Sequence, residues 1–574
     1  MRMHDQNSPN LGSGTFVPRV RSSPVAVFDR PLRIALVCPR FEPSFYGDDY
    51  YVPLASSRAR ATMAPGVLPL LAALVPGRHE IVLFDENTDA LDFQELRTFD
   101  VIGITGMIVQ RIRLREILAE LHDFDGILAV GGPYASIDED FFSHRCDVIF
   151  VGEADESWPR FVEDVVAGRP LPRRLEQSAK TDMTKLPPPR YDLVDHTKYL
   201  SASVQFSRGC PFLCEFCDII TIYGRKPRAK DPAAVIAELD VLRKRGVGTV
   251  FLVDDNLIGN KKLAKGLLVE LVAWQKANNY PLKLATEVSI NLADEPELLE
   301  LMYEAGMSSI FIGIESPSEA ALAETKKVQN IRGDSLADKL TRIREAGLLV
   351  TGGMIVGFDS DGPEIFALQE EFVREVALAR VGIATLTVLP TTPLFDRMKK
   401  EGRLRLDNPN CNFQPLQMTP EELSAGCAAL NQRLFEPEAY FDRYFSTIAN
   451  FPGLRQKRKE LAARRGKPPA AMRALAYVGA MRQLWRLTKA AKSAGELGNV
   501  MPRYAKIFRG RTRYAGGSET SFPIFVNACA QHWHLYYLYK SFRSQKHTIT
   551  NTYAYGSDTP VPQIVEREPA KLSA

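Results

Sequence analysis

Ser207-Arg208-Gly209-Cys210-Pro211-Phe212-Leu213-Cys214-Glu215-Phe216-Cys217 places three thiols on one short stretch of chain. Thiolates spaced this way can hold three corners of a cubane iron–sulfur cluster, which ordinarily takes four cysteines. The remaining cysteines, Cys38, Cys146, Cys411, Cys427 and Cys529, are scattered, and no nearby histidine completes the set. One iron is therefore expected to stay open to a ligand. A structural zinc site would want four donors, often as two close pairs. A disulfide would suit a small secreted chain, not one of 574 residues.

The residues around this loop alternate between apolar runs and helical patterns. Runs at 204–207, 249–253, 282–286, 309–314, 349–356 and 382–388 read as strands. Helical periodicity lies between them at 233–245, 262–278, 297–305 and 334–345. Six β–α units predict an open (β/α)6 barrel, whose chemistry sits on the loops that follow the strands. Those loops carry Asp254, Asp255, Glu287, Glu315 with Ser316, and Asp359. Acids there can bind an ammonium or ribose hydroxyls, or can simply cap the next helix.

Upstream, runs at 33–39, 79–85, 101–105, 127–132 and 148–153, with helical stretches at 112–121 and 158–166, predict a parallel doubly wound, Rossmann-like or flavodoxin-like sheet. Ligands of such sheets lie at the carboxyl edge. That edge carries Thr105-Gly106-Met107, Gly131-Gly132 and Gly152-Glu153, where glycines let a bulky flat ligand approach the backbone. No Gly-x-Gly-x-x-Gly follows the first strand, which speaks against a dinucleotide.

Length and composition fit this division. The chain is too long for a single core, and 45% hydrophobic with 25% charged residues is ordinary for a soluble globular protein. The expected organisation is a disordered tail over 1–30, a sheet domain over 31–175, a linker over 176–200, a barrel over 201–418 and a helical, basic domain over 419–574. No apolar run reaches the ~18 residues of a membrane span. Clustered thiols without a secretion signal point to a reducing cytoplasm.

The cysteine spacing resembles the CxxxCxxC signature of radical S-adenosylmethionine (SAM) enzymes, and Phe216 before the last cysteine fits it. In that family three cysteines hold a [4Fe–4S] cluster whose open iron chelates SAM, and an electron from the cluster splits SAM to a 5′-deoxyadenosyl radical. The sheet domain ahead of the cysteines is similar to the cobalamin-binding domain of cobalamin-dependent (class B) members. The chain lacks the Asp-x-His-x-x-Gly motif that supplies a histidine to cobalt, so the resemblance implies cobalamin held without one. The stretches from Cys217 to Arg228 and from Val253 to Lys262 resemble the subgroup that contains the hopanoid C-2 methylase. By this resemblance Asp254 and Asp255 face the SAM amino group, Glu315-Ser316 its ribose and carboxylate, and 353–357 with backbone near Phe216 its adenine.

The resemblance implies a cobalamin-dependent radical SAM methyltransferase acting on an unactivated carbon through methylcobalamin. A lipid or polycyclic small molecule is the expected substrate, and a flavodoxin- or ferredoxin-type protein the reductant. Two alternatives stay open: the same cofactors forming a ring or carbon–carbon bond, and a cobalamin- or redox-sensing binding protein.

The helical region adds a charge signal. From Arg455 to Arg513 there are 17 basic residues against Glu460 and Glu496, or +15, which leaves −12 for the rest of a chain of net charge +3. A solvated face explains such a run. So does peripheral contact with an acidic membrane surface, for which Leu484, Trp485 and Leu487 offer apolar partners. No nucleic-acid module accompanies the charge, so no nucleic acid is expected. His532-Trp533-His534 with Tyr536, Tyr537 and Tyr539 reads as an aromatic helix face buried on the barrel.

Overall fold

The structure is a computed structural model that describes residues 18–19, 27–55, 57–405, 408, 411–466 and 469–544. Most of the expected N-terminal tail lies outside the described residues. Of it, Arg19 reaches Asp147 at 2.9 Å and Arg30 reaches Asp100 at 2.6 Å.

Along the chain the first strands are β1 (Arg33–Cys38), β2 (Ala61–Met63), β3 (Glu80–Asp85), β4 (Val101–Thr105), β5 (Ile127–Gly131), β6 (Val148–Val151) and β7 (Arg174–Glu176). Six of them form one parallel sheet in the order β3-β1-β4-β5-β6-β7. The apolar runs are continuous because both faces are covered. Val37, Ile102 and Val130 pack with Leu114 and Tyr134 on one side, and Ile34, Leu36 and Phe150 with Trp158 and Phe161 on the other. The order reverses between β1 and β4, so the ligand crevice of such a sheet falls beside Thr105-Gly106-Met107.

The second sheet is built from β8 (Tyr199–Val204), β11 (Thr249–Leu252), β12 (Lys283–Glu287), β13 (Met307–Glu315), β14 (Leu349–Val356) and β15 (Val381–Thr385). These six parallel strands form the expected partial barrel, and a seventh joins them: β2 leaves the first sheet's stretch of chain to pair with β8, Ala61 opposite Tyr199. Between β8 and β11 a two-stranded antiparallel ribbon, β9 (Ser207–Arg208) with β10 (Arg228–Ala229), brackets the cysteine loop. The first barrel strand lies upstream of the predicted 204–207. Ala202, Ser203 and Val204 take the ladder beside Val250, Phe251 and Leu252, whereas the amides of Phe206 and Ser207 turn to Asp254.

Helices Pro420–Leu434, Pro437–Ala449, Pro452–Arg464, Ala470–Ser493, Leu497–Gly510 and Phe522–Ser544 form the C-terminal layer. The first opens on a Thr419–Glu422 capping box with Pro420 at its first position. Apart from helix Pro452–Arg464, whose Leu461 packs separately with Tyr280 and Tyr303, their apolar faces continue the barrel core. Buried Asn431 and Arg443 bond the carbonyls of Ile383 and Leu378 at 2.9 and 2.8 Å.

Candidate functional site

The cysteine loop is held from three directions. Gly209 has a φ of 97°, and a Cβ there would lie 2.8 Å from the Gly224 carbonyl, so the turn into Cys210 requires glycine. Cys210 N donates to that same carbonyl at 3.2 Å, and Cys217 N to the carbonyl of Cys214 at 3.1 Å. Asp254 accepts from Phe206 N, Ser207 N and Ser207 Oγ at 2.8, 2.9 and 2.6 Å. Asp255 accepts from Gly209 N at 2.7 Å. Glu215, inside the loop, receives the guanidinium of Arg397 at 3.1 Å, and Arg397 also binds Asp359 at 2.5 Å.

All three thiols are free. Among the described residues no three His, Cys, Asp or Glu side chains converge on a single ion. A cubane does not ask for that, because each thiolate binds a different iron. The polar groups around the thiols suit thiolates: Gln329 Nε2 donates to Cys214 Sγ at 3.6 Å, and Asn256 bonds Cys210. Lys327 donates to Glu315 Oε1 at 2.6 Å inside the protein. Burial lowers its pKa, but the Glu315 carboxylate and Cys214 as a thiolate outweigh burial and raise it. The donor set thus fits a cluster with three protein ligands.

The acids at the strand ends differ in what they face. Both oxygens of Asp254 are taken up by the cysteine loop, so it supports the loop and has no oxygen turned to the barrel opening. Glu315, with a φ of 66° at an irregularity in the β13–β14 register, turns its carboxylate to Lys327. Ser316 is buried and accepts from Ser318 N at 3.2 Å. The Glu287 carbonyl accepts from Leu257 N at 3.0 Å, while its carboxylate has no hydrogen-bond partner among the described residues. Burial and then Asp255 and Asp254 push its pKa up to about 7. Phe216 lies 6.0 Å from Phe358, ring to ring, with Lys327 Nζ 5.9 Å from its centroid.

At the edge of the first sheet, Gly132 has a φ of 96°, and a Cβ there would meet Thr105 Oγ1 at 2.6 Å. Gly106 N donates to the Gly131 carbonyl at 3.3 Å, so the two loops run side by side. Gly152 has a φ of 73° with nothing within 4 Å of a Cβ, and Met107 is exposed. Glu153 departs from its expected place among the ligand contacts. Its side chain is fully enclosed and binds Arg208 at 2.9 Å, Arg228 at 3.0 Å and Thr181 N at 3.0 Å.

The two edges meet. Ile222 and Tyr223, just past the cysteines, pack into the core of the first sheet, and helix Ile219–Ile222 lies against helix Pro133–Ile137. The carboxyl edge of the first sheet and the cysteine loop are thus joined through helices Pro133–Ile137 and Ile219–Ile222.

Several residues at this place escape a sequence reading. Lys327 and Gln329 lie beyond β13 with no local signal. Tyr46 comes from the excursion between β1 and β2. Its ring sits 5.6 Å from Phe311 of β13, near Glu287 and Glu315, and it is 62% exposed on the wall of the open barrel mouth. Arg208 stands inside the quoted motif, but only its partners reveal its role. In the C-terminal layer His532, Trp533, His534, Tyr536 and Tyr539 are buried.

The radical SAM superfamily matches residues 204–368, and a domain of unknown function (DUF4070) matches residues 392–548. The chain is 38% identical to an uncharacterized methyltransferase of Synechocystis sp. over 72% of this chain and 78% of that one. It is 37% identical to the hopanoid C-2 methylase of Rhodopseudomonas palustris over 73% of this chain and 80% of that one. Among solved structures it is similar to OxsB, a cobalamin-dependent SAM radical enzyme solved with aqua-cobalamin and SAM. That match has a TM-score of 0.54 at 15% identity, over 90% of this chain and 80% of that one.

Proposed function

The chain belongs to the radical SAM superfamily, in the group that includes the hopanoid C-2 methylase, and from that premise we propose that it is a cobalamin-dependent C-methyltransferase acting on an unactivated carbon of a polycyclic lipid. When bound, the [4Fe–4S] cluster with SAM supplies a hydrogen-abstracting radical, and cobalamin supplies the methyl group.

The chain's own residues position these groups and keep water from them. Cys210, Cys214 and Cys217 hold the cluster, while Gln329 donates to Cys214 Sγ and Asn256 bonds Cys210. Asp254 and Asp255 fix the loop from below. Glu287, whose carboxylate is partly buried and unpartnered, is the acceptor for the SAM ammonium, and Glu315-Ser316 with Phe216 line the rest of that ligand's place. Thr105-Gly106-Met107, Gly131-Gly132 and Gly152 form the cobalamin face, where the tight glycine turns keep the edge low and Gly152 borders open space, which suits a flat macrocycle. Tyr46 and Phe311 present aromatic surface to an apolar substrate.

The strongest support is the packing of helix Ile219–Ile222, just past the cysteines, on helix Pro133–Ile137 at the edge assigned to cobalamin. The 37% identity to a hopanoid methylase supports the lipid class. A flavodoxin- or ferredoxin-type donor supplies electrons, and the enzyme works in the cytoplasm with its basic C-terminal layer against an acidic membrane face.

The test is anaerobic reconstitution with iron, sulfide and cobalamin, reduction with dithionite, then incubation with methyl-labelled SAM and lipids from cells lacking the gene. Labelled lipid heavier by one methylene is expected. 5′-Deoxyadenosine without label transfer would favour ring formation. No 5′-deoxyadenosine from loaded protein would favour a sensor.

A further inference from the structure

We propose that the outward face of helix Ala470–Ser493 is the surface that docks this enzyme on an anionic lipid bilayer, with Leu475, Val478, Met481 and Trp485 entering the interface. These four residues recur at three- and four-residue intervals and so share one face. The opposite face, with Ala480, Gln483, Leu487 and Ala491, is buried against helix Phe522–Ser544. Leu487, expected as an apolar membrane contact, is therefore core. The outward residues have no such cover: Leu475 is 66% and Trp485 53% exposed.

Charge selects the partner. Between Leu461 and Gly495 there are eight basic residues and no acid. Arg482, Lys489 and Lys492 fall on the outward side of the helix, and Lys489 Nζ lies 4.0 Å from the centroid of Trp485. Lysine stems beside a tryptophan are the usual furniture of a lipid headgroup boundary. A second copy would bring the same positive charge to this face. The 30 residues after Ser544 carry three basic and three acidic residues and do not complement it. No helix among the described residues is long and apolar enough to cross a membrane, so this one lies on the surface.

The helix also connects to the barrel mouth. Arg486 bonds the carbonyl of Ala55, and Tyr51 Oη donates to Asn527 at 2.9 Å, which ties the excursion bearing Tyr46 to the docking layer. A lipid substrate gives this arrangement a purpose. The inference rests on the lipid reading only for that purpose, because docking is measured without turnover.

The experiment is flotation of the full-length, cofactor-loaded protein with phosphatidylcholine vesicles, with and without phosphatidylglycerol. Partition into the anionic vesicles alone is expected, falling as salt rises. The triple variant Leu475→Ser, Met481→Ser, Trp485→Ser should lose at least about ten-fold in partition at unchanged melting temperature, since the three side chains are exposed. Trp485 emission should shift to the blue on binding and be quenched by brominated lipid. Equal binding to neutral vesicles, or full binding by the variant, would overturn the proposal. So would a dimer that the variant dissociates while vesicle binding is absent. Failure of methyl transfer with intact docking would count against the substrate reading alone.

Discussion

Glu153 Oε1 accepts from Arg208 Nη1 at 2.9 Å, and the two residues belong to different sheets. Glu153 ends the carboxyl edge of the first sheet, and Arg208 stands two residues before Cys210. Asp155 joins the pair at 2.6 Å and Arg228 at 3.0 Å. Burial would raise the Asp155 pKa, but Arg208 outweighs burial and holds it below the usual carboxylate range. A largely buried ion network thus ties the edge assigned to cobalamin to the loop assigned to the cluster.

Glu153→Gln removes one charge from that network and leaves Arg228 without a carboxylate. A loss of about 3 kcal/mol is expected, as for a broken buried ion pair. Urea unfolding followed by far-UV circular dichroism measures it. Unchanged stability would mean that Asp155 alone carries both arginines.

Asp254→Asn keeps the size of the side chain but turns an amide NH2 toward groups that are themselves donors. At least one of the three bonds to Phe206 and Ser207 is then lost. The cysteine loop should loosen, and iron and sulfide per chain after reconstitution should fall well below the full cluster content of wild type. Wild-type iron content would remove Asp254 from the support of the loop.

Lys327→Met deletes a buried cation beside Cys214 and Cys217. A cation stabilises the more negative, reduced state of a cluster, so its loss should lower the reduction potential by roughly tens of millivolts. Lys327→Arg should restore most of the shift. A redox titration followed by electron paramagnetic resonance reads this directly, and an unmoved potential would place Lys327 as a partner of Glu315 only.

Gly132→Ala forces a Cβ onto a backbone of positive φ and against Thr105 Oγ1. The strain costs about 1–2 kcal/mol, and the loop that shifts to relieve it is the one assigned to cobalamin. Retention of cobalamin through gel filtration, followed by its visible absorbance, should drop. Equal retention would move the cofactor away from this edge.

Acid should unfasten the C-terminal layer. His532 is fully buried, its Nε2–H donating to the Phe435 carbonyl at 2.9 Å and its Nδ1 accepting from Tyr504 Oη at 2.6 Å. Burial lowers its pKa to about 3, and that of His534 to about 4. The unfolded chain therefore binds these protons first. Stability is complete above pH ~6.5 and is lost as pH falls toward 3, by several kcal/mol. Asp49 and Asp361, raised to about 6 by burial, act with the opposite sign between pH ~4 and 6. The comparison of wild type with His532→Gln isolates the histidine: the variant should show a shallower loss of near-ultraviolet circular dichroism below pH 6. Identical slopes would refute the assignment.

The sequence by itself determined whatever depends on neighbours along the chain. Cys210, Cys214 and Cys217 are legible because a cluster needs its ligands on one loop. The strands are legible because burial on both faces leaves continuous apolar runs. Gly132 is legible because its turn is local. Tertiary structure alone decided which polar groups face one another. Asp254 and Glu287 look alike in sequence, yet one is spent on the cysteine loop and the other stays open, because the bend after β8 points two amides at the first. Glu153 reads as an edge residue, but Arg208 and Arg228 enclose it from another sheet. Short β2 leaves the first sheet's stretch of chain and carries Tyr46 to the barrel mouth, a step that no periodicity in three residues can announce. Pairings between residues far apart in the chain follow from the packing of whole elements, and that packing is a property of the assembled core.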